Sequence, residues 1–175
     1  EQKKSSNVKL EYDFDHAIAN QEFIGSYQPL IDFNTDAVIG AEVLVRWQHP
    51  KLGLLFPDLF IPILEKSGQI IQLDLYMLKL ALNNLNQWGA WLPEHFKLNV
   101  NVSTSGFASQ DFITYLQAEH QKTGAFTRHL CVEITEESLI LNVEAVKKNL
   151  AILKSINIPV ALDDLSVFNE ILVDP

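Results

Sequence analysis

The sequence predicts an α/β fold in which parallel strands are covered by helices. From residue 96 onward the hydrophobic pattern switches repeatedly between strand and helix, an order that is typical of parallel sheets with helices packed outside. A long amphipathic helix is predicted before this region, over 72–88, where the leucines recur every three or four residues. Two architectures fit this pattern, an open doubly wound sheet or part of a (β/α) barrel. No glycine-rich phosphate loop follows any strand, which weakens the dinucleotide-binding form of the open sheet.

Composition and charge narrow the class of protein. The 175 residues are 47% hydrophobic and 20% charged, as expected of a globular domain. The net charge of −9 argues against DNA or RNA as a partner, because nucleic-acid binders normally carry a basic face. The single cysteine, Cys131, excludes an internal disulfide. No apolar stretch approaches the roughly 20 residues of a membrane span. We therefore expect a soluble, cytoplasmic domain, compatible with a membrane anchor upstream.

The first part of the chain predicts a helix and a β-hairpin. Residues 1–10 are polar and are predicted to be a linker, and residues 11–21 a short N-terminal helix. Residues 23–33 are rich in β-forming side chains and end at the turn cluster Asn34-Thr35-Asp36. Because 38–47 then reads as a second strand, the two strands are predicted to pair as a hairpin. The segment 22–175 is predicted to be one functional domain.

The remaining elements follow from cap residues and hydrophobic period. Pro57-Asp58 marks the start of a helix and Gly68 its end. The later predicted elements are strands over 96–102, 130–135 and 159–162, and helices over 110–121 and after Asn142.

Polar side chains stand at the ends of the predicted strands. By the two-residue period Asn99 and Asn101 share one face, opposite Leu98 and Val100. Four strands carry an oxygen ligand at or near the carboxyl end, where parallel α/β folds build their sites. These ligands are Glu42, Asn101, Glu133 and the pair Asp163-Asp164.

The types of these side chains indicate a hard cation. Carboxylates and an amide, without cysteine or histidine, favour Mg²⁺ or Mn²⁺ over zinc. The adjacent Asp163 and Asp164 suit a two-metal site that activates water and stabilises a phosphoryl displacement. Arg46 shares the Glu42 face and is able to hold a phosphate bidentately.

Each residue also has a structural alternative. Glu42 is also explained as a salt-bridged strand residue, with Arg46 as its ion-pair partner. Asn101 is also explained by bonds to backbone groups near a strand end, and Asp163-Asp164 by a cap on a following helix. Only the joint pattern favours the functional interpretation.

Several segments occur together in one order along the chain. They are Tyr27-Gln28-Pro29, Glu42-Val43-Leu44 followed by Val45-Arg46-Trp47, Pro57-Asp58-Leu59-Phe60-Ile61-Pro62, Asn101-Val102-Ser103, Glu133-Ile134-Thr135-Glu136 and Asp163-Asp164-Leu165. In these segments the chain resembles the EAL-domain family, the bacterial phosphodiesterases of the second messenger cyclic di-GMP. The resemblance runs from about Phe23 to the end.

The resemblance implies a fold and a reaction. The fold is a modified (β/α)₈ TIM-type barrel whose first strand is antiparallel, here incomplete, with about five strands. The reaction is hydrolysis of cyclic di-GMP to linear pGpG with two Mg²⁺ or Mn²⁺ ions. Cyclic di-GMP is then the expected ligand, and a homodimer the expected assembly. A catalytically inactive EAL-like receptor or protein-interaction module is the alternative.

The resemblance also implies residue roles. The positions that match metal ligands are Glu42, Asn101, Glu133, Asp163 and Asp164, with Asp163 contacting both ions. Those that match nucleotide contacts are Gln28, Leu44 and, at a phosphate, Arg46. Glu136 matches the glutamate that positions the loop after the aspartate pair, so catalysis is expected to depend on Glu42, Asp163, Asp164 and Glu136.

The sequence departs from the family in two places. Val43 replaces the usual alanine of the signature, on the strand face away from Glu42. After Leu165 the family's glycine-rich loop is missing, as are the later strands with a catalytic lysine, a further metal-binding glutamate and a substrate-contacting glutamine. We expect a longer parent chain in which a mobile loop lies between Leu165 and Ser166. The alternative is a truncation that is stable only through a partner or a domain swap.

Overall fold

The computed structural model describes residues 2–89, 91–135 and 143–163. Within these ranges the helices are α1 (Gln2–Ala19), α2 (Pro57–Ser67), α3 (Ile70–Trp88), α4 (Thr104–Phe107), α5 (Gln110–Thr127) and α6 (Val143–Ser155). The strands are β1 (Phe23–Ile31), β2 (Val38–His49), β3 (Gly53–Leu55), β4 (Lys97–Asn101), β5 (Leu130–Thr135) and β6 (Val160–Asp163). Among the described helices, none combines the length and apolar character needed to cross a membrane.

All the strands belong to one mixed sheet. Its order is β1-β2-β4-β5-β6, with β3 paired to the far end of β2. Strand β1 runs antiparallel to β2, whereas β2, β4, β5 and β6 are mutually parallel. Helical segments connect the parallel strands, as a parallel crossover requires. The predicted antiparallel first strand is confirmed, as is the parallel arrangement of β2, β4, β5 and β6. The short strand β3, which was not predicted, pairs antiparallel with β2.

Local chemistry explains the ends of several elements. The β1–β2 turn is held by Asp32, whose Oδ1 accepts 2.9 Å hydrogen bonds from the backbone N–H groups of Asn34 and Thr35. Pro57 occupies the first turn of α2, and Gly68 ends that helix at φ 79°, a left-handed conformation that costs glycine little. The predicted turn, helix start and helix stop are confirmed.

The N-terminal helix is longer than the sequence suggested. It begins at Gln2 and not at residue 11, so residues 2–10, predicted as a linker, are helical. Leu10, Phe14 and Ala17 are buried, and their spacing of four and three residues forms one helical face. This face docks on the core, which stabilises a helix that its polar first turns would not support alone. The predicted boundary between residues 21 and 22 stays a prediction.

Alternation along β4 and β5 separates the core from the site. Leu98 and Val100 are buried in the core with the apolar faces of α3 and α5, as are Val132 and Ile134 of β5. The intervening side chains point to the other face of the sheet, where Asn99, Asn101 and Glu133 are half-buried. The shared face predicted for Asn99 and Asn101 is confirmed.

Candidate functional site

The strand register brings the predicted oxygen ligands to one region of the sheet. Asn101 is the last residue of β4 and lies beside Glu133 of β5. Asp163 is the last residue of β6 and pairs with Thr135. Glu42 lies inside β2, but only Gly40–Val43 of that strand pair with β4. Each residue therefore stands near the carboxyl end of a parallel pairing, as predicted.

Glu42 and Asn101 are joined directly. The Asn101 Nδ2 donates a 2.6 Å hydrogen bond to Glu42 Oε1, although the two residues belong to different strands. Because the amide nitrogen of Asn101 is hydrogen-bonded to a carboxylate, its carbonyl oxygen is the atom that would coordinate a cation. The bond also limits the rotation of both side chains, so the pair is held in one arrangement.

A cavity of about 350 Å³ opens beside these residues. Its polar lining includes Glu42, Asn101 and Glu133, and its apolar lining includes Leu44 and Met77. A mostly apolar pocket with a few convergent polar groups is the usual form of a small-molecule site, and this volume lies at the small end of their range.

The donor set fits a hard divalent cation. Glu42 and Glu133 supply carboxylate oxygens and Asn101 an amide oxygen, the ligand types of Mg²⁺ and Mn²⁺ sites. Across the described residues, no three His, Cys, Asp or Glu side chains cluster tightly enough to hold a metal by themselves. A complete site in this region would therefore need further ligands, for which the sequence predicts Asp163 at the end of β6 and Asp164 after it.

The structure does not place Arg46 in an ion pair with Glu42, the alternative that the sequence left open. Its Nη1 donates a 2.8 Å hydrogen bond to the carbonyl of Val45, and its guanidinium lies 5.0 Å from the ring centre of Phe56. No ion pair with Glu42 is present in the part of the chain that the structure describes. Residues four apart on a strand are separated by about 13 Å, so the proposed structural ion pair is wrong.

The other predicted positions fall into two groups. Gln28 is exposed on β1, directly opposite Glu42 in the antiparallel register, and Leu44 is half-buried. The side chain of Asp163, the residues Asp164 and Glu136, and the predicted break between Leu165 and Ser166 lie outside the described residues.

A buried carboxylate next to the site was not predicted. Asp74 of α3 is 6% exposed, and its Oδ2 accepts hydrogen bonds from the backbone nitrogen and hydroxyl of Ser103, at 3.2 and 2.5 Å. Gly106 packs against it so closely that a Cβ there would overlap the carboxylate. Asp74 thus anchors the segment that follows Asn101. The detectable signal was a charged residue on the apolar face of an amphipathic helix.

Burial makes this carboxylate hard to ionise. Desolvation raises the pKa of Asp74 from its ordinary 3.8 to about 7, against the opposing effect of the Ser103 hydrogen bonds. The unfolded chain therefore loses this proton near pH 4, whereas the folded protein keeps it until about pH 7. The contribution of Asp74 to stability is greatest below pH 4 and declines as the pH rises to about 7.

The Asp74→Asn variant is expected to remove this decline. One pKa unit is worth about 1.4 kcal/mol. Between pH 5 and pH 8 the free energy of unfolding of wild type should therefore fall by about 3 kcal/mol relative to that of the variant. Urea denaturation at the two pH values measures the difference, with Asp15→Asn at an exposed position as the matched control. An equal difference in free energy of unfolding between Asp74→Asn and wild type at both pH values would show that Asp74 is already charged at pH 5.

Comparisons with known proteins by sequence and by structure indicate the same family. The family model described as EAL domain matches residues 11–169. The cyclic di-GMP phosphodiesterase PdeL of Escherichia coli is 34% identical over 148 residues, which are 85% of this chain and 41% of PdeL. An uncharacterized protein of Synechocystis is 32% identical over 157 residues, 90% of this chain and 23% of that protein. The chain thus spans less than half the length of either relative.

Solved structures share the fold. The PaMucR phosphodiesterase in complex with c-di-GMP superposes with a TM-score of 0.82 and 26% identity, over 91% of this chain and 64% of that one. The sheet described above is accordingly an incomplete TIM-like barrel with an antiparallel first strand, and the predicted fold class is confirmed.

Proposed function

This chain belongs to the EAL-domain family, and we propose that its site binds cyclic di-GMP and hydrolyses one phosphodiester bond to give linear pGpG. One observation supports the proposal above the others. Glu42, Asn101 and Glu133 come from three different strands, yet they border one cavity at the carboxyl ends of the parallel strands. PdeL, a relative by sequence, is named a cyclic di-GMP phosphodiesterase.

The proposed metal ligands are Glu42, Asn101, Glu133, Asp163 and Asp164. When bound, two Mg²⁺ or Mn²⁺ ions would supply an activated water and charge stabilisation at the phosphoryl oxygens. The 2.6 Å hydrogen bond from Asn101 to Glu42 fixes the Glu42 carboxylate and the Asn101 carbonyl oxygen before a metal ion binds. Glu136 is proposed to position the loop after Asp164.

Arg46 is proposed to bind a phosphate group of the substrate. A guanidinium presents two parallel N–H donors to a phosphate. Among the described residues, the contacts of the Arg46 guanidinium are with a backbone carbonyl and an aromatic face. Neither contact is an ion pair, so Arg46 can exchange them for a phosphate at small cost. Gln28 and Leu44 are proposed to line the nucleotide-binding region on either side of Glu42.

Arg46→Ala is therefore expected to weaken nucleotide binding more than metal binding. Losing a charge-assisted hydrogen bond costs about 2 kcal/mol, roughly a 30-fold rise in Kd. Calorimetry with cyclic di-GMP and Ca²⁺, a poor catalytic ion, measures the affinity without turnover. Arg128→Ala, at an exposed arginine preceding β5, is the matched control. Equal affinity of Arg46→Ala and wild type would remove Arg46 from the phosphate site.

Turnover tests the function as a whole. The natural full-length protein should convert cyclic di-GMP to pGpG with Mg²⁺ or Mn²⁺ and show no turnover after metal removal, as followed by chromatography of the nucleotides. Tight binding without turnover under all three conditions would instead identify a cyclic di-GMP receptor. Absence of binding would contradict both proposals.

Assembly and location follow from the same proposal. A second-messenger phosphodiesterase acts where its nucleotide is made, so we place the domain in the cytoplasm. A homodimer is proposed as the assembly, and an upstream sensory or membrane domain as the source of its input.

A further inference from the structure

We propose that Asn99 is a positioning residue that holds Glu133 in its ligating orientation, an inference that rests on the metal site proposed above. Asn99 lies on β4 two residues before Asn101 and on the same face. It matched no segment of the family resemblance, and the sequence suggested no role for it. Its side chain is half-buried.

The contact that carries this inference is diagonal across the sheet. In the strand register Asn99 lies beside Cys131 of β5, whereas Glu133 lies beside Asn101. Asn99 Nδ2 nevertheless donates a 2.8 Å hydrogen bond to Glu133 Oε1. The side chain therefore reaches one step toward the carboxyl end of the neighbouring strand to meet the carboxylate.

The amide of Asn101 makes a second diagonal hydrogen bond, in the opposite direction along the strands. Asn101 reaches back to Glu42 on β2, although it is Asn99 that lies beside Glu42 in the register. The two amides thus donate to different carboxylates, Asn99 to Glu133 and Asn101 to Glu42. Exchange of partners would need both bonds to break, so each bond also limits the freedom of the other.

This arrangement has a direct consequence for cation binding. A glutamate side chain has three rotatable bonds and loses considerable freedom when a cation fixes it. Hydrogen bonds that fix the ligand in advance lower this cost, and loss of such supporting contacts typically weakens metal binding 10–100-fold. Asn99 contacts no cation in this scheme and acts only through Glu133.

The test is the affinity of the natural full-length protein for Mn²⁺ alone, measured by calorimetry without nucleotide. Asn99→Leu keeps the approximate volume of the side chain and removes the donor. We expect its Kd for Mn²⁺ to rise about 10–100-fold, with little change in the Tm of the metal-free protein. Asn99→Ser, which retains a shorter hydroxyl donor, should show a smaller rise and replaces Asn99→Leu if that variant does not fold.

Two control variants separate positioning from a structural role. Asn149→Leu removes a buried amide that donates 2.7 Å to the Phe107 carbonyl, so it should lower Tm and leave the Mn²⁺ affinity unchanged. Asn86→Leu, at an exposed position, should change neither. Wild-type affinity in folded Asn99 variants would overturn the role of Asn99 while leaving the metal site intact. Failure of the wild-type protein to bind Mn²⁺ would instead overturn the metal site, and the inference with it.

Discussion

Substitution of Glu42 by glutamine is expected to abolish hydrolysis of cyclic di-GMP without loss of the fold. Glutamine keeps the volume of the side chain and an oxygen that can accept the bond from Asn101 Nδ2, but it removes the charge that a divalent cation requires. Because changes to residues that only support metal ligands already cost 10–100-fold, loss of a ligand should lower turnover by more than about 100-fold. The half-buried position loses a charge, so the metal-free protein should be at least as stable as wild type.

Turnover and Tm of the natural full-length protein, measured side by side, test this expectation. Glu94→Gln makes the same chemical change at an exposed position and should leave both quantities unchanged. Near-normal turnover of the Glu42→Gln protein with Mg²⁺ would remove Glu42 from the metal site.

Substitution of Trp47 by alanine is expected to have the largest effect on stability. Trp47 has no exposed surface, and its ring packs against Phe23 and Phe60 at centroid distances of 4.9 and 5.7 Å. Its indole nitrogen donates a 2.9 Å hydrogen bond to Glu22. Truncation of a buried tryptophan to alanine typically costs about 3–5 kcal/mol, a large part of the stability of an ordinary domain.

Trp91 provides a control with the same change in side chain. It is 86% exposed, and substitutions at such positions usually change the free energy of unfolding by less than about 0.5 kcal/mol. Urea denaturation of both variants gives the comparison. Similar losses for Trp47→Ala and Trp91→Ala would mean that the contacts of Trp47 are not what stabilises this part of the core.

The local elements followed from short stretches of sequence. The leucine spacing predicted α3, Pro57 and Gly68 predicted the ends of α2, and Asp36 stood in the predicted turn between β1 and β2. Such features depend on hydrophobic period and on backbone preferences over about a dozen residues. The three-residue strand β3 was missed because it exists only through its pairing with the end of β2.

The candidate site was partly predictable for the same reason. Alternation along each strand placed Asn99 and Asn101 on one face, and the order of strands and helices placed Glu133 at the same edge. The sequence by itself thus determined which oxygen-bearing side chains could meet.

Only the tertiary structure decided how these side chains are paired. The diagonal bonds from Asn99 to Glu133 and from Asn101 to Glu42 depend on the register between strands that are far apart in sequence. A slip of one residue would turn every side chain of a strand to the other face, and no local pattern reports the register. The contact of Asp74 with Ser103 likewise required α3 to pack beside β4. These pairings are set by long-range packing, which is why the sequence indicated candidate ligands and only the structure revealed the hydrogen bonds that position them.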